Sequence, residues 1–186
     1  MKKLLLVLVV IFINGVSLFA WEPADLTKFP LGQDGKNWIL NFGIGFSDTN
    51  YFRKDYTYIL PLRLSLDKNV AMGDKKLPFF IGGILGYTGW GHKENTFYYK
   101  RDYFYHDFLM AGRFGYHFNW DVKNLDTYAV TTAGWIAYAG DYDSYGKFLF
   151  GVNIGVRYFV NNWFGFWVET GFNAFSWLDL GIAFKF

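Results

Sequence analysis

A strict two-residue period, held through three consecutive segments at the C-terminal end, constrains this chain more than any other feature. Leu178, Leu180, Ile182, Phe184 and Phe186 alternate with Trp177, Asp179, Gly181, Ala183 and Lys185. Just before them, Phe164, Phe166, Val168, Thr170 and Phe172 alternate with Gly165, Trp167, Glu169, Gly171 and Asn173. Earlier still, Phe148, Phe150, Val152, Ile154, Val156 and Tyr158 oppose Leu149, Gly151, Asn153, Gly155, Arg157 and Phe159. Successive side chains leave a pleated backbone on opposite faces, so this period predicts strands and not helices.

The same rule places five earlier strands near 37–47, 56–66, 77–88, 103–118 and 127–139. In the first, Trp38, Leu40, Phe42, Ile44 and Phe46 alternate with Asn41, Gly43 and Gly45; in the second, Tyr58 to Leu66 alternate with Thr57, Pro61, Arg63 and Ser65. Pro61 removes a ladder donor and belongs at an edge or a bulge. In the fourth, Phe108, Met110, Phe114, Tyr116 and Phe118 alternate with Asp107, Ala111, Arg113, Gly115 and His117. The third and fifth carry glycine and alanine on both faces. No stretch after residue 20 approaches the ~18 continuous apolar residues of a transmembrane helix.

Which face turns inward decides the class. Aromatic residues make up 24% of the chain and apolar ones 52%, more than a water-facing sheet can hide. The interior of an eight-stranded barrel holds only its own side chains or one small ligand. The large apolar face therefore cannot fill such a lumen, while the face rich in Gly, Ala, Asn and Thr has too few charges for a water-facing surface. Turned inside-out the pattern fits: large groups meet lipid, small and polar groups fill the centre, and closure leaves no unpaired edge in hydrocarbon. The expectation is an all-β fold, an eight-stranded antiparallel up-and-down transmembrane β-barrel over 37–186. Aromatics at strand ends give two girdles: Trp38, Phe118, Trp120, Tyr128, Tyr158, Trp163, Phe184 and Phe186 at one rim, and Phe46, Tyr58, Tyr87, Trp90, Phe104, Tyr138 and Phe172 at the other.

The N-terminal residues are an address. Lys2 and Lys3 precede an unbroken apolar run from Leu4 to Ile13, then Asn14 and Gly15 break it and Ala20 closes a small-residue region. Residues 1–20 are expected to be a secretory signal peptide cleaved near Ala20, too short to span a bilayer, although Leu18 stands where a smaller residue is usual. A retained N-terminal anchor is the alternative. The chain has no cysteine, hence neither a lipoprotein anchor nor a disulfide framework. Without Lys2 and Lys3, the 18 basic residues become 16 and balance the 16 acidic ones, so the composition does not favour nucleic acid as a partner. Residues 21–36 lack a clear period and are expected to be a periplasmic lead-in.

With the pattern complete, the sequence resembles the small bacterial outer-membrane β-barrel proteins, the group with OmpA-like, OmpX-like, opacity-like and OmpW-like members. The most specific match is the ending Leu180, Ile182, Phe184, Phe186, which resembles the signal read by the barrel-assembly machinery. The resemblance implies an outer-membrane location, with outer-membrane lipid and that machinery as partners.

With both termini periplasmic, the connections near 48–56, 89–102, 140–147 and 174–176 face outside, and those near 67–76, 119–126 and 161–162 face the periplasm. The long outer connection carries His92, Lys93, Tyr98, Tyr99, Lys100 and Arg101, a mixture enriched at binding surfaces, or else a protruding hairpin. Inward charges form the second candidate site: Arg63, Asp107, Arg113, Arg157, Glu169, Asp179 and Lys185. Buried charges must be paired, and Arg113 and Arg157 are expected near Glu169. Such a network either plugs the lumen, helped by inward Trp135, Trp167 and Trp177, or lines a narrow channel for small solutes or hydrophobic molecules. A surface role, with an extracellular ligand, accompanies the plug.

Catalysis would need a nucleophile, a base and an orienting acid gathered at the outer rim. The candidates His92, His106, Asp102, Asp107, Asp141, Asp143, Ser47, Ser144 and Ser176 share no nucleophile-like spacing, and His106 and Asp107 leave a strand on opposite faces. No cofactor motif or metal-ligand cluster is visible. The expectation is a non-enzymatic barrel.

Overall fold

The computed structural model describes residues 37–46, 56–72, 75–95, 100–118, 120, 122, 124–141, 143–172 and 175–186. The expected signal peptide (1–20) and lead-in (21–36) lie outside these residues. The described chain is all-β, with eight strands: β1 (Trp38–Phe46), β2 (Tyr56–Met72), β3 (Lys75–Asn95), β4 (Lys100–Phe118), β5 (Leu125–Gly140), β6 (Ser144–Phe159), β7 (Phe164–Phe172) and β8 (Leu178–Lys185). Each pairs antiparallel with its neighbours in sequence, and β1 pairs with β8, closing an up-and-down barrel. No helix among the described residues is long and apolar enough to cross a membrane, which says nothing about a barrel.

The closing seam runs from Ile39↔Lys185 to Phe46↔Leu178. It continues one residue further, where the Trp38 and Phe186 backbones exchange two hydrogen bonds of 3.0 Å. The C-terminal phenylalanine is thus part of the ladder, its ring turned outward.

Strands differ in length around the ring. β7 has 9 residues and β8 has 8, whereas β3 has 21 and β4 has 19. The β3–β4 pairing continues without a break from Phe79↔Tyr116 to Asn95↔Lys100. The expected outer connection 89–102 is therefore mostly a paired hairpin, because alternation carries on past Thr88 on both strands. Likewise β2 reaches Met72, so the expected connection 67–76 is mostly strand. The connection expected at 140–147 shrinks to the three residues 141–143, since β6 begins at Ser144.

Pro61 lies inside β2 at an irregularity. The β2–β3 register shifts between Ile59 and Leu62, and the Thr88 hydroxyl donates to the Ile59 carbonyl at 2.8 Å. The bulge places the proline where no ladder donor is required. At the other end, Asn124 adopts a φ of 67° in the β4–β5 connection, a left-handed position that asparagine tolerates. Its carbonyl accepts from the Phe159 amide at 2.9 Å.

The two faces separate by size and polarity. Phe42, Leu85, Met110, Phe114, Phe148, Phe150 and Phe166 all point outward and are exposed. Inside lie Arg63, Asp67, Arg113, Asp126, Arg157, Glu169, Asp179 and Lys185, each buried. Glycines let inner rings lie across neighbouring strands. A Cβ at Gly155 would collide with the Tyr128 ring, so glycine is what admits that ring to the lumen.

Some inward and rim assignments need correction. Trp135 and Trp177, expected to obstruct the lumen, are 51% and 53% exposed. On β5 the inward set is Asp126, Tyr128, Val130, Thr132 and Ile136, which turns Trp135 outward; small residues on both faces hide that parity in the sequence. Trp177 precedes the first paired residue of β8, where alternation no longer fixes its direction. Tyr128, expected in a girdle, is fully buried, and Trp90 and Tyr138 face the inside of the mouth at the β3–β4 hairpin end. Trp167 does point inward, and its indole N–H donates to the Phe42 carbonyl at 3.3 Å.

Candidate functional site: the charged lumen

The inward positions of six strands converge on one continuous chain of ion pairs. Register sets the geometry. Gly43 faces Arg63 across β1–β2, Gly82 stands between Asp67 and Arg113, and Gly155 lies opposite Glu169. The glycine beside Arg63, Arg113 and Glu169 leaves the lumen space each side chain must cross, whereas Arg157 stands between Asp126 and Trp167.

The chain starts, at the β3–β4 hairpin end of the barrel, with Asp179, which pairs with Arg63 and accepts from the Ser176 hydroxyl at 2.7 Å. Arg63 Nη2 reaches Glu169 at 3.0 Å, and Arg113 Nη2 reaches the other Glu169 oxygen at 2.7 Å. Tyr128 and Asn153 donate to Glu169 as well, at 2.9 and 2.8 Å. Arg113 Nε lies 3.2 Å from Asp67 Oδ1, close enough for an ion pair but without hydrogen-bond alignment. Asp67 Oδ2 accepts from Arg157 Nη2 at 2.5 Å, and Arg157 Nη1 donates to Asp126 at 2.9 Å. His117 ends the chain between Asp126 (2.6 Å) and Asn69 (3.0 Å).

Arg157, like Asp126, is fully enclosed, at 0% exposure. Its guanidinium lies 4.1 Å from the Tyr128 ring centroid and 5.7 Å from that of Phe80, and its Nε donates to Asn41. Planar stacking and several fixed donors are what a guanidinium offers and an ammonium does not. Three guanidiniums and four carboxylates thus share one desolvated volume, where each charge depends on its partners. Arg113 Nη1 and Thr132 Oγ1, neighbours across β4–β5, have no hydrogen-bond partner among the described residues.

Apolar layers lie above and below. Ile84, Leu109, Ala111, Ile136, Leu149 and Phe175 form one cluster, and Ile39, Phe159, Trp167 and Ala183 another. Phe175 and Ser176 belong to the β7–β8 connection, expected to face outside, yet both are buried. The connection dips inward because Gly86 leaves room against the Phe175 ring.

Of the expected charged residues, Arg63, Arg113, Arg157, Glu169 and Asp179 come together in this chain. Arg113 pairs with Glu169 directly; Arg157 does not, taking Asp67 and Asp126 instead. Lys185 is buried near the seam with its ammonium 5.4 Å from the Phe159 ring. Asp107 sits apart, half-buried at the mouth of the β3–β4 hairpin end, across from Thr88 and Tyr138. Asp67, Asp126 and His117 were not singled out from the sequence, although continued alternation through Arg63, Ser65 and Asp67 carries the signal for the first.

The expected surface residues His92 and Lys93 fall in β3, and Lys100 and Arg101 in β4, paired as His92↔Tyr103, Lys93↔Asp102, Glu94↔Arg101 and Asn95↔Lys100. Tyr98 and Tyr99 lie outside the described residues. Leu180, Ile182, Phe184 and Phe186 share the outward face of the closing seam. Among the catalytic candidates, His106 faces outward with its Nδ1 2.9 Å from the Tyr87 hydroxyl, while Asp107 faces inward. Ser176 is committed to Asp179, and Ser47 lies outside the described residues. Among known proteins, the chain matches no family model, and no curated protein matches it.

Proposed function

We propose that this protein is an integral outer-membrane β-barrel with a plugged lumen, exported behind residues 1–20, whose role is structural and surface-interacting. The observation that carries the reading is the inverted distribution of side chains. Phenylalanine, leucine and methionine cover the outside, and paired arginines and carboxylates occupy the centre. In water that outer surface has no favourable partner, whereas in hydrocarbon it has one, and the closed ladder leaves no edge unsatisfied. Stacked rings at the strand ends, among them Trp163 on Phe184 at 6.0 Å, fit an interfacial girdle.

The ion chain and its apolar layers support the plug. The surface role rests on the β3–β4 hairpin, whose strands are roughly twice as long as β7 and β8. Both parts of the reading are open to test. Purified residues 21–186 should aggregate without detergent and refold in liposomes to a heat-modifiable barrel. A compact, detergent-free monomer overturns the membrane assignment. In planar bilayers the refolded protein should show no stable conductance, and a steady conductance abolished by Glu169→Gln overturns the plug in favour of a narrow channel.

A further inference from the structure

The mouth of the lumen at the β3–β4 hairpin end contains a cavity that the ion chain does not use. Its volume is about 240 Å³, and its walls are Trp90, Tyr105, Asp107, Tyr138, Asp143 and Tyr145. These come together through register. Trp90 faces Tyr105, Asp107 faces Tyr138, and Tyr138 faces Tyr145 across successive strand pairs. The rings form two stacked pairs, Trp90 on Tyr105 at 4.1 Å and Tyr138 on Tyr145 at 4.6 Å. Gly140, across from Tyr105, is part of the design, because a Cβ there would run into the Tyr105 ring. The Gly140 amide donates to the Asp143 carbonyl at 3.0 Å, closing the turn that brings Asp143 to the rim. Below, Tyr138 packs on the apolar layer that contains Phe175, so the pocket has a floor.

The lining carries two carboxylates and no basic side chain. Asp107 is half-buried and has no ion-pair partner among the described residues. A metal ion would demand more oxygen ligands, and no three His, Asp or Glu side chains converge among the described residues. Ring faces beside a half-buried carboxylate and a second one at the rim match a different guest, because the aromatic quadrupole and the acid attract the same diffuse positive charge. A cavity below the ~300 Å³ of drug-sized sites suits a head group and not a larger molecule. We propose that this pocket binds a small organic cation of the substituted-ammonium class, seated against the aromatic walls and held by Asp107 and Asp143.

The test is calorimetric titration of the barrel refolded in a polyoxyethylene detergent, which carries no ammonium group. Choline should give saturable one-site binding, and its neutral isostere 3,3-dimethylbutanol should bind at least about tenfold more weakly. Asp107→Asn should weaken choline about tenfold or more while leaving the urea midpoint of the barrel unchanged, and Tyr138→Ala should weaken it as much in protein that still refolds to a heat-modifiable barrel. Glycerophosphocholine distinguishes two sources of the same chemistry. Binding at least as tight as choline's assigns a lipid head group, weaker binding assigns the free cation, and both support the class. No saturable choline binding by the folded barrel overturns the proposal, and so does equal affinity for the isostere or for glucose, or an unaffected Asp107→Asn. The titration needs only a folded barrel, so its failure leaves the membrane reading standing.

Discussion

Glu169 receives two guanidiniums, a phenol and an amide at once, and no other carboxylate among the described lumen residues is so heavily engaged. Neutralising it leaves Arg63 and Arg113 facing each other without their shared anion. Removing one partner of a buried ion pair costs about 3–5 kcal/mol, far more than the pair's net contribution. Glu169→Gln should therefore lower the urea stability of the refolded barrel by about that amount, while Lys147→Gln on the exposed rim changes it by less than about 0.5 kcal/mol. Because the network is desolvated, raising the salt concentration should leave the stability gap between the unaltered barrel and the Glu169→Gln variant nearly intact. Gly155 offers a second check. Gly155→Ala drives a methyl group into the Tyr128 ring and should be destabilising, although exposed strand positions prefer alanine to glycine. At this level the sequence disclosed which charges point inward but not which meet. Arg157 and Asp67 are 90 positions apart, and their contact depends on the shear of the closed barrel, to which a period of two is blind.

Strand existence was readable all along the chain, whereas strand ends were not. Where one face is uniformly large, as in β6 to β8, the pattern located the ladder closely. In β2 the alternation passes from Leu66 into Asp67, Lys68 and Asn69, polar residues that look like a turn but belong to the ladder. In β5, small residues on both faces concealed the parity and sent Trp135 to the wrong side. The β3–β4 hairpin shows the same limit, since its upper pairs, from His92 to Asn95 and from Lys100 to Asp102, are polar and carry no apolar alternation. Its tip pairs only with itself: β3 leaves β2 at Tyr56↔His92 and β4 leaves β5 at Tyr105↔Gly140, yet the β3–β4 ladder continues to Asn95↔Lys100. Local pairing above the ring adds little to the barrel beneath. Replacing residues 94–101 with Asn-Gly, a two-residue turn suited to a hairpin, should leave heat-modifiability and the urea midpoint unchanged. A large loss of stability on that trimming would mean that the hairpin supports the barrel wall.

The whole barrel makes a prediction that no single strand does, because inside and outside are properties of closure. Trp135 and Trp163 project from the outer surface, whereas Trp167 is 2% exposed and donates to the Phe42 carbonyl within the wall. Single-tryptophan versions of the protein, refolded into liposomes, can report on each place separately. Lipids brominated along the acyl chain quench only fluorophores that touch hydrocarbon. Trp135, set in the middle of its strand with Phe148 across from it, should be quenched strongly. Trp163, in the β6–β7 connection at the end where Phe186 closes the ladder, should respond best to bromines placed near the headgroup. Trp167 should be nearly unaffected at every depth. The ordering matters more than the amplitudes. A water-soluble barrel adsorbed to the vesicle would show no depth dependence at Trp135, and an inverted one, with its apolar face in the lumen, would quench Trp167 first. Only a barrel that meets lipid with its large side chains and keeps its ions in the centre gives Trp135 deep, Trp163 shallow and Trp167 silent.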